Sequence, residues 1–309
     1  MSYAEIRMRR ALTALVVAAC GSVEATPAPL PSPTAAAVTA VDAGPAACPT
    51  AGPIASTPPL SGAAIREPSG LVASALNRGI FWTHNDSGDS ARAFAVNESG
   101  ALVATLAFDT APPVDIEDMA VEDAGPDSYL YFADIGDNAV NRTEYVIHRV
   151  REPRLGAESI LTATSEKMTV RYADGPHDAE TLLFDPITKD LFVATKVVFG
   201  SSAIHRVGPF AANTAVTTTR VASVPVALAT GGAISRDGTR VALRNYGASA
   251  WLWRRAPGED LAAALAHTAC RLPLASETQG EAFAFLADDA GYATLSEGAG
   301  EALHLARFE

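Results

Sequence analysis

"IEDMAVEDAGPDSYLYFAD" (116–134) contains two short apolar runs, IEDMAVE (116–122) and SYLYFAD (128–134), separated by a turn rich in Gly, Pro and Asp. Short runs of β-branched and aromatic residues bounded by such clusters read as paired strands. The pattern recurs along the chain. PSGLVAS (68–74), AETLLFD (179–185), ATGGAIS (229–235) and GEAFAFL (280–286) lead, each after a turn, into GIFWTHND (79–86), DLFVATK (190–196), RVALRNY (240–246) and YATLSEG (292–298). The leading strands start 48, 63, 50 and 51 residues apart. Five units of about 50 residues, each opening with the same hairpin, predict an all-β fold, a β-propeller of four-stranded blades. Five blades are expected, and a degenerate sixth hidden in the 63-residue gap is the alternative. A β-sandwich would not account for five copies of one hairpin. Helical periodicity is poor; GEDLAAALAHTA (258–269) reads equally as a helix or as a strand with its connection.

The N-terminal segment has a different texture. Arg7, Arg9 and Arg10 precede the apolar Ala11–Ala19 and then Cys20, a run too short to span a bilayer but sized for a secretory signal. Val17-Ala18-Ala19-Cys20 resembles a bacterial lipobox, which implies cleavage after residue 19 and a lipid on Cys20. Residues 1–19 are therefore read as a lipoprotein signal and 20–62, dominated by Ala, Pro and Thr, as a flexible tether. The propeller domain is assigned to 63–309, in an exported protein lipid-anchored in the cell envelope, its expected partners the membrane and a small ligand or envelope protein. A monomer is expected. A net charge of −12 argues against nucleic acid, which needs a basic face. Cys48 and Cys270 would pair in an oxidising compartment; the alternative is two separate buried thiols.

Aligning the five leading strands brings Ser69, Glu117, Glu180, Thr230 and Glu281 into one column. Inner strands surround the axis of a propeller, so this column becomes a ring of oxygens at one mouth of the channel. Three carboxylates held close together raise one another's pKa, and a hard cation such as Ca²⁺ would relieve the repulsion. Water and backbone amides filling the channel are the alternative.

An oxygen ring of this kind, with the openings EPSGLVAS, IEDMAV, DAETLLF and GEAFAF, resembles the central calcium site of the five-bladed calcium-dependent apyrases, in a few residues per blade. WTHNDSGDS, DIEDMAV, DIGDN and PHDAETLLFDP look more closely like a group of exported bacterial propeller proteins without a settled activity, over most of residues 66–309. The second resemblance implies fold rather than chemistry.

A second column is drawn from the ends of the second strands: Asp86, Asp134, Lys196, Arg244 with Asn245, and Glu297. Asp86 and Asp134 each lie seventeen residues past a ring position, in the look-alike turns DSGD and DIGD. Asp89, Asp137, Asn138, Asp178 and His177 are expected beside them. An acidic edge facing Lys196 and Arg244 suits a cation with a polar or anionic small ligand. If the protein is instead a calcium-dependent phosphoanhydride or phosphoester hydrolase, Lys196 and Arg244 would clamp phosphate while Asp86 or Asp134 activates water.

Overall fold

The computed structural model describes residues 47–309. The chain there is all-β, with one short α-helix and a single 3-10 turn at Gly125–Asp127. β1 (Ala55–Pro59) is followed by a first meander, β2 (Pro68–Ala73), β3 (Ile80–Asn85), β4 (Arg92–Asn97) and β5 (Leu102–Asp109). A second meander contains β6 (Ile116–Glu122), β7 (Tyr129–Asp134), β8 (Tyr145–Arg151) and β9 (Ile160–Arg171). The third runs β10 (Ala179–Phe184), β11 (Asp190–Thr195) and β12 (Ser202–Pro209), then, past the short β13 (Ala215–Thr217), β14 (Thr219–Val224). The fourth holds β15 (Ala229–Ile234), β16 (Arg240–Asn245), β17 (Ala250–Arg254) and β18 (Cys270–Leu272), interrupted by α1 (Leu261–Leu265). The last consists of β19 (Gly280–Phe285), β20 (Gly291–Ser296) and β21 (Ala302–Arg307).

Each meander is antiparallel in chain order, and β1 pairs with β21 to supply the last sheet with its fourth strand. The outer strands β5 and β9 pair in parallel, which joins the first two meanders into one larger sheet, and β13 pairs in parallel with the other half of β9. The leading strands β2, β6, β10, β15 and β19 are neighbours in a closed cycle, β19 returning to β2. These are the five repeated segments of the sequence.

The core follows from the two-residue period of the strands. Each of five apolar clusters lies between one meander and the next. On β2, Leu71 and Ala73 point toward the last meander and Val72 toward the second; on β3, Phe81 and Trp82 divide in the same way. Both faces of the inner strands are thus covered, so their sequences are nearly continuous in apolar residues. Trp82 and Trp253 are fully buried, while Trp251, on the third strand of its meander, is half-exposed beneath the Arg271 guanidinium at 4.1 Å. The stretch 258–269 resolves into a five-residue helix, its start capped by Asp260, which accepts from the Ala263 N–H at 2.7 Å.

The N-terminal boundary differs from the expected one. Residues 47–62 belong to the fold rather than to a tether: β1 is hydrogen-bonded to β21, Ala51 bridges Phe308, and Cys48 forms a disulfide with Cys270. The sheet edge left open by the three strands at the C-terminus explains this, since an unpaired edge exposes a row of unsatisfied amides. The expected signal 1–19, the expected lipid attachment at Cys20 and the expected tether up to residue 46 lie outside the described residues. No helix among the described residues is long and apolar enough to cross a membrane.

Candidate functional site

All five inner strands carry a register break at the same place. The ladder skips one residue between Ser69 and Leu71, Ile116 and Asp118, Ala179 and Thr181, Ala229 and Gly231, and Gly280 and Ala282. In four strands the skipped residue is the ring residue itself: Glu117, Glu180, Thr230 and Glu281; in β2 it is Gly70, beside Ser69. A bulge leaves its extra residue out of the ladder and re-aims the side chain. All five ring residues are buried. Ser69 Oγ donates to the Glu117 carbonyl at 2.5 Å and Thr230 Oγ1 to the Gly280 carbonyl at 2.8 Å. Each hydroxyl therefore ties its strand to the next and keeps lone pairs available as an acceptor.

A second repeated contact sets the outer tier. The N–H one residue past each second strand donates to the carbonyl two residues before the ring position: Asp86 to Glu67, Ile135 to Asp115, Lys196 to Asp178, Tyr246 to Leu228 and Glu297 to Gln279. The true outer column is Asp86, Ile135, Lys196, Tyr246 and Glu297. Asp134 does not belong to it, because it pairs with Ile116 as Asn85 pairs with Pro68. Equal spacing misleads because the hairpin turns differ in length. The same contact identifies a tier just before the inner strands, and with it Asp115, which spacing alone had not singled out, and Asp178.

Seven carboxylates come together here. Single oxygens of Asp86, Asp115 and Glu117 lie within 4.8 Å of one another, as do those of Glu117, Asp178 and Glu180, and of Asp86, Glu281 and Glu297. The trios share Asp86 and Glu117 and so form one patch. Its one paired cation is Lys196, whose Nζ contacts Glu180 Oε1 and stands 5.8 Å above the Tyr246 ring. Burial first, then neighbouring carboxylates, raises Asp86, Glu117, Glu180 and Glu281 above their ordinary range. Asp86 rises to about 6, Glu281 to about 9, Glu117 well above its usual value, and Glu180 to about 7 with Lys196 opposing the shift. Burial disfavours the Lys196 charge, but Glu180 outweighs it and keeps the ammonium above the ordinary lysine range. Asp115 is raised chiefly by burial, with Asp134 and Asp178 adding to the shift, and one of its oxygens lies within 4.8 Å of Glu117. Asp86 Oδ1 and Glu281 Oε2 are buried without a hydrogen-bond partner.

The glycine of DIGD makes this crowding feasible. Gly136 has no positive φ; instead a Cβ there would fall 2.1 Å from Glu117 Oε1 and 2.3 Å from Asp115 Oδ2. Gly88 of DSGD is a turn glycine, at φ +80° with open space around it. The two look-alike turns thus use their glycines for different purposes.

Several expected ligand residues are engaged elsewhere. Arg244 is 0% exposed and bonded to Glu277 at 2.5 Å and to the Ala282 carbonyl, under Gly280, so it is not a rim cation. Neighbouring Asn245 ends its strand and is not engaged in this way: it is half-buried, and its Oδ1 has no hydrogen-bond partner. Asp134 accepts from the Val114 and Asp115 N–H groups and pairs with Arg142 at 2.8 Å. Asp137 accepts from the Asn141 and Arg142 amides and from Tyr145 Oη, which closes its own turn. Asp89 holds Arg92 and Asn85, and Asn138 is exposed in the same loop as Asp137. His177 turns to Asp174 and the aromatic rings beside it.

One further carboxylate was not legible in the alignment. Asp118, next to Glu117 but paired within the ladder, is fully buried and accepts from the amides of Met119 and Leu182. It pins β6 to the next inner strand, β10. No protein-family model matches this chain, and no curated protein does.

Proposed function

We propose that this chain is a five-bladed β-propeller that binds Ca²⁺ in the mouth of its central channel and presents the loaded mouth to a polar ligand. The closed cycle of five inner strands, with a core cluster in each of the five spaces between meanders, supports the propeller. The observation that carries the calcium reading is the buried, unpartnered Glu281 Oε2 within a patch of seven carboxylates served by one lysine. Leaving such an atom unpaired costs about 1–3 kcal/mol or more, and Ca²⁺ takes six to eight oxygens in flexible geometry. Ser69, Glu117, Glu180, Thr230 and Glu281 would line the ion, with Asp86, Asp115 and Glu297 within reach. The N-terminal signal and lipobox support an exported protein anchored through a lipid on Cys20.

The ligand follows from the charge left over. With Arg244 locked to Glu277, Lys196 is the only positive side chain among the described residues that is paired within the patch, and one Ca²⁺ does not neutralise the carboxylates. Such a mouth favours a neutral polar or basic group over a phosphate. The hydrolase reading depends on a Lys196–Arg244 phosphate clamp, and no observation among the described residues favours it.

Melting the protein with Ca²⁺ and with EDTA tests the proposal, since a ligand of the native state stabilises it by mass action, about 2.7 kcal/mol at a hundredfold excess over Kd. Calcium should raise Tm in the wild type and much less in Glu281→Gln. Equal melting in both buffers would remove the calcium reading.

A further inference from the structure

Next to the acidic mouth, whose Asp178 follows His177 directly in the chain, Asp174, His177 and His205 place one potential metal-ligand atom each within 4.8 Å of the others. Three elements bring them together. Asp174 lies in the turn after β9, His177 in the segment entering β10, and His205 on β12. His177 Nε2 is 2.8 Å from Asp174 Oδ1, and the His177 and His205 rings are 5.1 Å apart.

His205 carries the argument. It is 1% exposed, and its Nε2 is buried without any hydrogen-bond partner. Its Nδ1 is 3.1 Å from Oγ1 of the buried Thr218, a contact that places the proton on Nδ1 when the hydroxyl accepts and leaves the Nε2 lone pair free. A ligating histidine typically has its other nitrogen fixed in this way, which sets tautomer and ring orientation. Tyr172 packs edge-on against both imidazoles, with centroids 4.9 Å away in each case, so the rings are held before any ion arrives. Burial keeps the His205 ring neutral, its pKa lowered to about 4. A buried nitrogen with a free lone pair normally has a partner, and none of the surrounding side chains supplies one.

We infer that Asp174, His177 and His205 form a second metal site, selective for a borderline divalent transition metal of the zinc class. Two imidazoles and one carboxylate are ligands that suit Zn²⁺, whereas the all-oxygen mouth suits Ca²⁺. Tetrahedral ligands around zinc stand about 3.3 Å apart for bonds of about 2.0–2.1 Å, so the trio needs only small side-chain movements to close on an ion. Asp174 is exposed and His177 half-exposed, which provides an entry path and a solvent-facing fourth position. The site does not depend on the calcium reading.

The test uses the untagged full chain, with excess Ca²⁺ to occupy the acidic mouth. Titration with Zn²⁺ should show one tight site, and Co²⁺ in its place should give the visible absorption of a tetrahedral complex. His205→Gln and His177→Gln should each weaken zinc binding by at least about 100-fold, while Glu281→Gln leaves it unchanged. If His205→Gln does not fold, His177→Gln, at a half-exposed position, decides alone. Absence of stoichiometric zinc, which would leave water as the partner of His205, overturns the inference. So would unchanged binding in the histidine variants, or equal loss in Glu281→Gln, which would put the ion in the mouth.

Discussion

Gly136 lies directly against Glu117: a Cβ at position 136 would stand 2.1 Å from Glu117 Oε1, in space the carboxylate already fills. Because the obstructing atoms are side-chain ends, Gly136→Ala should displace Glu117 and Asp115 rather than unfold the chain. We expect this variant to lose most of the calcium-induced rise in Tm. Gly88→Ala, at positive φ in open space, should instead cost about 1–2 kcal/mol and keep the calcium response. Melting both variants with and without Ca²⁺ checks the contrast.

Stability without metal should fall as pH rises. Burial and mutual repulsion raise Asp86 to about 6, Glu180 to about 7 and Glu281 to about 9, all above their values in the unfolded chain. Between the unfolded and folded values the native state holds more protons than the unfolded state, so the slope of unfolding free energy with pH is negative. Their contribution is intact below about pH 4 and is lost progressively as pH rises through 6 and 7 toward 9. Calcium requires the deprotonated groups, so its stabilising increment should grow over the same window. Denaturant titrations in EDTA and in Ca²⁺ at several pH values would show the two curves diverging. Parallel curves would refute the assignment.

Arg244 and Glu277 form a fully enclosed pair, the carboxylate also accepting from Thr294 Oγ1 at 2.6 Å. Removing one partner strands a buried charge. Arg244→Met should destabilise by about 3–5 kcal/mol without altering calcium affinity, and the double variant Arg244→Met/Glu277→Met should recover part of the loss. A ligand-clamping arginine would behave in the opposite way, with weaker binding at nearly unchanged stability.

The Cys48–Cys270 bond spans 222 residues and fastens the segment leading into β1 to β18 of the neighbouring meander. Disulfides are typically worth about 2–4 kcal/mol, and loop-closure entropy places one that closes so long a loop at or above the top of that range. Reduction, or Cys48→Ser, should lower the unfolding free energy by that amount. The same treatment should raise hydrogen exchange in β1, because the strand then depends on its pairing with β21 alone.

The sequence by itself determined the strands and their grouping. Alternation of apolar residues is a local property, and five copies of one hairpin opening, from PSGLVAS to GEAFAFL, mark the inner strands without reference to the rest of the chain. It also marked the ring column, since Ser69, Glu117, Glu180, Thr230 and Glu281 share one place in the repeat. Tertiary structure decided the rest. Whether Asp86 aligns with Asp134 or with Ile135 depends on turn lengths and bulges, which shift register without changing composition. Whether Arg244 faces solvent or Glu277 depends on a partner 33 residues away. The use of residues 47–62 as the last strand's partner likewise depends on an open sheet edge at the other end of the chain. Charge and burial are properties of the surroundings a side chain meets after folding, so the residues' identities were legible and their roles were not.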